Sequence, residues 1–141
     1  MNQATNIAAQ DALIELMVVA ASSDMLMSRN ELARIEGLVG RLPVFEGFDM
    51  ARLPAVASRC ADKINGATGL DRLIEEAIDT IPERLHDTAY ALIVDVVALD
   101  LQASQEELRF LEMVRDSMAL DRLTTAAIET AARARHRRLS Q

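Results

Sequence analysis

The chain has 141 residues, half of them apolar, with 5 Gly, 3 Pro and only 3% aromatic residues. This composition excludes disordered, collagen-like and turn-rich β proteins, and the length suits one domain with one hydrophobic core. The formal net charge is −7, which disfavours binding to phosphate backbones, and the 23 Ala and 18 Leu are typical of a helical protein.

Apolar residues recur at spacings of three and four along the chain, and this periodicity predicts seven helices. The first covers about residues 7–22. The second follows Ser28 and ends before Pro43, because a proline disfavours helical backbone angles in the residue before it. The third runs through Val56 and Cys60 to Ile64, and a short fourth helix runs from Leu70 to Ile78.

Cap residues predict where the last three helices begin. The segment Thr80-Ile81-Pro82-Glu83 has the cap residue, early proline and Glu of a helix start, Ser104 starts the sixth helix and Asp121 caps the seventh. The apolar positions of the sixth and seventh helices are Leu108, Leu111, Val114, Leu123, Ala127, Ile128 and Ala131. No segment alternates with the period of a strand. The prediction is therefore an all-α domain of about seven helices over residues 7–138.

The chain contains an internal repeat at an offset of 76 positions, the separation between Asp24 and Asp100. At this offset 24 positions of the first half align with the second half, and seven pairs are identical. The identical pairs are Leu16/Leu92, Val18/Val94, Asp24/Asp100, Ser28/Ser104, Glu31/Glu107, Leu32/Leu108 and Glu36/Glu112. About two matches are expected by chance, so the repeat predicts two pseudo-symmetric helix-turn-helix halves.

Each repeat carries an Asp, then a Ser and a Glu three residues apart. Ser and Glu at this spacing satisfy free backbone N–H groups at a helix start, and an Asp upstream is attracted to the positive helix end. Alternatively, two carboxylates held across a turn form an oxygen-rich corner for a hard divalent cation such as Ca²⁺ or Mg²⁺. The candidate metal residues are Asp24, Glu31, Asp100 and Glu107. Both readings, capping alone and capping with cation or partner recognition, remain open.

The residues that more specific catalytic and metal sites require are missing from the sequence. Asp24 is followed by Met25 and Leu26 with no Gly at the sixth position, which excludes an EF-hand. Only one Glu-x-x-His turn, Glu83 to His86, is present, and a di-iron bundle needs two. His86 is therefore interpreted as a helix-surface or capping residue. No nucleophile motif or phosphate-binding Gly loop occurs, so we expect no catalytic residues and no enzymatic activity.

The remaining features bear on partners and location. Four Arg near the C-terminus follow a body of negative charge, and we expect them to form a solvated helix end rather than a nucleic-acid contact. The only cysteine, Cys60, is expected to be buried and inert. The uncharged apolar stretch Leu16 to Ala21 is too short to span a bilayer, so a cytoplasmic protein that is not embedded in a membrane is expected.

The chain also resembles the tellurite-resistance TerB-like domains of bacteria over about residues 11–136. The resemblance includes the first Asp corner with its downstream Glu, Asp24 and Glu31. The other segments that carry it are Leu42-Pro43-Val44-Phe45, Pro82-Glu83-Arg84-Leu85, Thr88-Ala89-Tyr90-Ala91 and Gln105-Glu106-Glu107-Leu108-Arg109-Phe110-Leu111. It implies an all-α fold of about seven helices in pseudo-two-fold halves, and a divalent cation or protein partner at the acidic positions.

The resemblance further implies a non-enzymatic adaptor or protein-interaction domain in the response to tellurite and other chemical stress. Two alternatives stay open, an oxyanion-detoxifying enzyme and a purely structural helical domain. Thiol-based reduction of an oxyanion normally uses a second, resolving thiol, and Cys60 has no intramolecular partner. The adaptor is therefore favoured, with protein partners expected and homodimerisation left open.

Overall fold

A computed structural model describes residues 3–22, 29–66, 69–97 and 105–140, and these contain seven α-helices. The helices are α1 (Gln3–Ala21), α2 (Arg29–Arg41), α3 (Leu53–Ile64), α4 (Leu70–Thr80), α5 (His86–Val97), α6 (Gln105–Met118) and α7 (Arg122–Arg135). Short 3₁₀ turns occur at Pro43–Phe45, Met50–Arg52 and Glu83–Leu85. No strand occurs in these four ranges, which confirms the predicted all-α fold.

Helices α1 and α5 form the centre of the domain. They pack against each other, α1 also packs against α2, α3 and α4, and α5 against α2, α6 and α7. Ile14, Met17, Tyr90 and Ile93 are completely buried where these helices meet their neighbours. From Ala9 onward α1 is buried on nearly all sides, as is most of α5, because other helices surround both of them.

The packing of the helices matches the internal repeat. Helix α1 packs on α2 and α3, and α5 packs on α6 and α7 in the same way. The aligned pairs Leu16/Leu92 and Val18/Val94 are buried in α1 and α5. This arrangement agrees with the two predicted halves, although no counterpart of α4 follows α7 in the described part of the chain.

The predicted start of the fifth helix at Thr80 is wrong. Thr80 is the last residue of α4, and its hydroxyl donates a hydrogen bond to the carbonyl oxygen of Glu76 at 2.8 Å. Pro82 then separates α4 from a 3₁₀ turn, and α5 begins at His86. A threonine hydroxyl can bond backward along its own helix as well as forward to a new one, so the local pattern does not distinguish the two.

Four residues expected in apolar helix faces are exposed instead. The exposed fraction of the Leu108 side chain is 48% and that of Leu123 is 81%, and Ala127 and Ala131 of α7 are exposed as well. Phe110 is buried in α6 and Thr125 in α7, each two residues beyond the leucine of its helix. At 3.6 residues per turn, a step of two residues is a rotation of about 200°, which places each leucine on the opposite face of its helix.

Helix α1 is longer than the first predicted helix and begins at Gln3. Its length and apolar composition are sufficient to cross a membrane, which the shorter stretch Leu16 to Ala21 did not indicate. In this fold 61% of that window is buried against other helices. A buried core helix and a membrane span satisfy the same test of length and hydropathy. The length and composition of α1 therefore do not show whether the chain is embedded in a membrane.

Candidate functional site

The two acidic corners of the repeat lie partly within the described chain. Glu31 is half-buried in α2, and the backbone of Glu107 lies in α6. Asp24 and Asp100 lie outside the described residues, as does the side chain of Glu107. Within the described ranges no group of three His, Cys, Asp or Glu side chains could hold a metal ion. The cation site therefore stays a prediction.

A groove of about 570 Å³ lies beside the first half of α1. Three separate parts of the chain line it: the start of α1, the connector after α2, and the segment that leads into α5. The lining residues are Thr5, Asn6, Ala9, Gln10, Leu13, Leu42, Pro43, Val44, Glu46, Pro82, Arg84, Leu85 and Thr88. The connector and the segment before α5 contain two of the stretches on which the family resemblance rests, and the fold brings them to one surface.

Gln10 holds one wall of the groove in place. Its side chain is only 8% exposed, and its Nε2 donates hydrogen bonds to the carbonyl oxygens of Val44 at 3.2 Å and Glu46 at 3.1 Å. These bonds use both amide hydrogens and fix the connector against α1. No sequence motif singles out this residue. A polar side chain between the apolar positions Ala9 and Ala12 was the available signal.

The groove lining is mostly apolar and carries few charged groups. Among its described residues, Glu46 and Arg84 are the ionisable ones, and both are exposed. No nucleophile lies beside a base in this lining, whereas Leu13, Leu42 and other apolar side chains supply most of the wall. A cleft of several hundred cubic ångströms with apolar walls and a few polar groups is typical of a binding site.

Cys60 lies inside the core and is not a reactive thiol. Its side chain is completely buried in α3, and Sγ donates to the carbonyl oxygen of Glu15 at 3.6 Å. Burial, reinforced by the nearby Glu15 carboxylate, raises the pKa of the Cys60 thiol to about 12. The thiol is therefore neutral near pH 7, and the expectation of a buried, inert cysteine is confirmed.

His86 occupies a capping position at the beginning of α5. Its Nε2 lies 3.0 Å from the carbonyl oxygen of Ile81, so this nitrogen carries a proton and donates it across the turn between α4 and α5. Nδ1 is buried and has no hydrogen-bond partner in the described chain. This geometry agrees with the interpretation of His86 as a capping residue.

Ion pairs that the sequence analysis did not predict connect the helices of each half. On α1, Asp11 pairs with Arg52 at 2.8 Å, and Glu15 pairs with Lys63 of α3 at 3.5 Å. On α5, Asp95 pairs with Arg135 at 2.6 Å, and the same carboxylate oxygen lies 3.2 Å from Nε2 of His136. One of the four C-terminal arginines is therefore engaged within the fold, and a solvated helix end describes only the other three.

Neither Asp95 nor Gln10 belongs to a motif that could be recognised in isolation, because the partners of each come from distant parts of the chain. The groove beside α1 is therefore a candidate site that only the fold assembles. A comparison of the chain with protein-family models, with curated proteins and with solved structures finds no match.

Proposed function

We propose that this chain is a non-enzymatic interaction domain of the TerB-like kind, which binds another protein in the response to tellurite or other chemical stress. The observation that carries the proposal is the groove beside α1, which combines apolar walls with only two ionisable lining residues, Glu46 and Arg84. Such a surface can bury part of a partner, and it holds no pair of groups for acid–base or nucleophilic chemistry.

The chemistry of the core supports an adaptor over an oxyanion-reducing enzyme. Reduction by thiol exchange begins with a thiolate, and the raised pKa of Cys60 keeps its thiol protonated near neutral pH. The sulfur is also completely buried, so an oxyanion in solvent has no access to it. The only cysteine of the chain is thus unsuited to the alternative function.

The proposal includes a divalent cation, Ca²⁺ or Mg²⁺, at the acidic corners. Each corner combines an Asp with the Glu seven residues later, Asp24 with Glu31 and Asp100 with Glu107. The two Glu occupy equivalent positions of the internal repeat, which supports an equivalent role for both corners. Carboxylate oxygens are the ligands that these hard cations prefer.

Site-specific photo-crosslinking tests the interaction role. A photoreactive amino acid replaces Glu46 in the groove, and in a second protein it replaces Asp62, an exposed residue of α3 outside the groove. We expect a discrete protein adduct from position 46 in cells exposed to tellurite, and none from position 62. Arg84→Glu should weaken the adduct, whereas Arg109→Glu, at an exposed position of α6, should not. Equal adducts from both positions would contradict the proposal.

Native mass spectrometry tests the cation role separately. The intact protein is sprayed after exchange into a volatile buffer with and without added Ca²⁺ or Mg²⁺. Two bound ions per chain are expected if both corners bind, and the Asp24→Asn, Asp100→Asn variant should lose them. A wild-type spectrum without bound cations would contradict the cation role. The proposed role of the groove does not depend on this result.

A further inference from the structure

Helix α7 has a buried face and a second, exposed face that is almost entirely apolar. Its inner face packs on α5 and carries Thr125 and Ala132, both buried. Its outward face carries six exposed residues, Leu123, Ala126, Ala127, Thr130, Ala131 and Ala134. At about 100° per residue, these six lie within an arc of about 140° on the side of the helix opposite to Thr125 and Ala132.

This outward face differs from that of an ordinary surface helix. A helix at the surface of a protein normally turns charged and polar residues toward solvent. None of the six described residues on the outward face of α7 is charged, and Thr130 is the one polar residue among them. The exposed fraction of Leu123 is 81%, the highest among the large apolar residues of the described helices. An exposed apolar surface of this kind marks a site of association with another protein.

Helix α3 provides an internal comparison, because it packs on α1 as α7 packs on α5. The exposed residues of α3 include Ser58, Arg59 and Asp62, the usual mixture of polar and charged groups. Helix α4 also packs on α3, whereas no counterpart of α4 follows α7 in the described chain. The uncharged outward face is therefore a feature of α7 and not of both halves of the fold.

We propose that the outward face of α7 binds the same face of a second copy of this chain, with the two helices antiparallel. Contact of one face with itself about a two-fold axis is the commonest arrangement in soluble oligomers. An axis midway between Ala127 and Thr130 places Leu123 of each copy against Ala134 of the other, so the largest side chain of the face meets one of the smallest. The alanines along the rest of the contact let the two helix axes approach closely.

The charges at the two ends of α7 favour the antiparallel direction. Four arginines lie in the last turn of α7 and directly after it, at Arg133, Arg135, Arg137 and Arg138. A parallel pair would place these two arginine-rich ends side by side, where they repel each other. An antiparallel pair places each of them beside the start of α7 in the other copy, where the exposed Asp116 and Asp121 outnumber Arg122.

The size of the contact determines its expected strength. Helix α7 has 14 residues and is therefore about 21 Å long. One pair of such helices buries less than the roughly 1,600 Å² of a standard protein–protein interface, so we expect a reversible dimer with a micromolar dissociation constant. The groove beside α1 shares no residue with the outward face of α7, so this dimer and the proposed function are tested independently.

Sedimentation velocity of the intact protein between about 1 µM and about 500 µM tests dimerisation. We expect monomer to convert to dimer across this range. Ala127→Glu, at the centre of the face, brings two like charges into the contact and should weaken the dimer about a hundredfold. Ala55→Glu is the matched control, because Ala55 is an exposed alanine of α3, and it should dimerise as wild type does.

Both substitutions lie at exposed helix positions, so both variants should keep the wild-type circular dichroism spectrum. Wild type that stays monomeric at every concentration would overturn the proposal and leave the face for a different protein. A dimer that Ala127→Glu weakens no more than Ala55→Glu does would also overturn it, because the contact would then lie elsewhere.

Disulfide formation between introduced cysteines tests the direction of the helix pair. The native Cys60 is buried, so the introduced thiols are the reactive ones. In a mixture of Leu123→Cys and Ala134→Cys proteins, mild oxidation should link the two variants to each other, because these positions face each other. Either variant alone should link slowly, because in an antiparallel pair the two copies of one such position are about 16 Å apart along the helices. Linkage of Leu123→Cys to itself as fast as to Ala134→Cys would overturn the antiparallel arrangement.

Discussion

The hydroxyl of Tyr90 donates a hydrogen bond to Oε2 of Glu129 at 2.8 Å and so connects the centre of α5 to α7. The Tyr90 side chain is completely buried, and Arg115 of α6 donates to the same Glu129 oxygen at 3.2 Å. Burial and the Glu129 carboxylate raise the pKa of the phenol, so Tyr90 remains a donor at every physiological pH. Three helices of the second half therefore meet at one carboxylate.

Removal of the Tyr90 hydroxyl should destabilise the protein without changing the fold. Tyr90→Phe keeps the buried ring and removes one hydrogen bond to a charged group, which we expect to lower the free energy of unfolding by about 1–2 kcal/mol. Urea denaturation measures the change. A double-mutant cycle with Glu129→Gln isolates the pair, and an unchanged unfolding midpoint for Tyr90→Phe would show that the bond contributes nothing.

Ser28 and Ser104 should each cap a helix, although both lie outside the described residues. Each serine lies three residues before a glutamate, Glu31 or Glu107, which is the spacing of a capping box. Loss of an N-cap hydroxyl typically costs about 1 kcal/mol, so Ser28→Ala and Ser104→Ala should each lower the urea midpoint accordingly, whatever metal is present. Midpoints equal to wild type for both variants would show that neither serine is a cap.

The cap at Asp121 should make stability depend on pH in acid. Its carboxylate accepts from the backbone N–H of Thr124 at 2.8 Å, and this bond, with a second from the Thr124 hydroxyl, lowers the pKa of Asp121. A lowered pKa in the folded state stabilises the fold above the ordinary value of about 4, and this contribution is lost as the pH falls through the lower folded value.

Asp121→Ala should therefore be less stable than wild type near pH 7, with the difference shrinking below about pH 4. Thermal unfolding at a series of pH values measures it. Asp116→Ala, at an exposed position inside α6, is the control and should not reproduce this pH profile. A stability difference that is constant with pH would mean that the Asp121 charge has no part in the cap.

Cys60 should be unreactive as long as the protein is folded. Because its pKa is raised to about 12 and its side chain is buried, the thiolate population near pH 8 is negligible. A thiol-specific chromogenic disulfide should therefore label native protein only at the rate of unfolding, and should label protein in concentrated urea within minutes. Rapid stoichiometric labelling of the native protein would contradict this picture.

Saturating Ca²⁺ or Mg²⁺ should raise the melting temperature if the acidic corners bind a cation. A ligand of the native state at a hundredfold excess over its dissociation constant stabilises by about 2.7 kcal/mol, which corresponds to roughly 5–11 °C for a domain of this size. Asp24→Asn with Asp100→Asn keeps the shape and most of the capping, so this double variant should lose the shift. Equal shifts in melting temperature for the wild type and the double variant would show that the acidic corners act only as helix caps.

The sequence by itself determined the parts of the fold that depend on neighbouring residues. Apolar periodicity predicted all seven helices, the offset of 76 positions predicted two related halves, and the Asp121 cap was predicted correctly. Each of these features arises within a few turns of one helix or from a repeat in the chain. It therefore produces a pattern that can be recognised in the sequence. Even so, the local pattern at Thr80 was ambiguous, because a threonine can bond backward or forward.

Only the tertiary structure decided which distant residues meet. The groove depends on Gln10 reaching Val44 and Glu46, more than thirty positions away, and the end of α7 depends on His136 reaching Arg34, 102 positions away. The outward direction of Leu123 likewise follows from how α7 packs on α5. No local pattern specifies such pairs, because they form only when helices that are far apart in the chain pack at a particular rotation and angle.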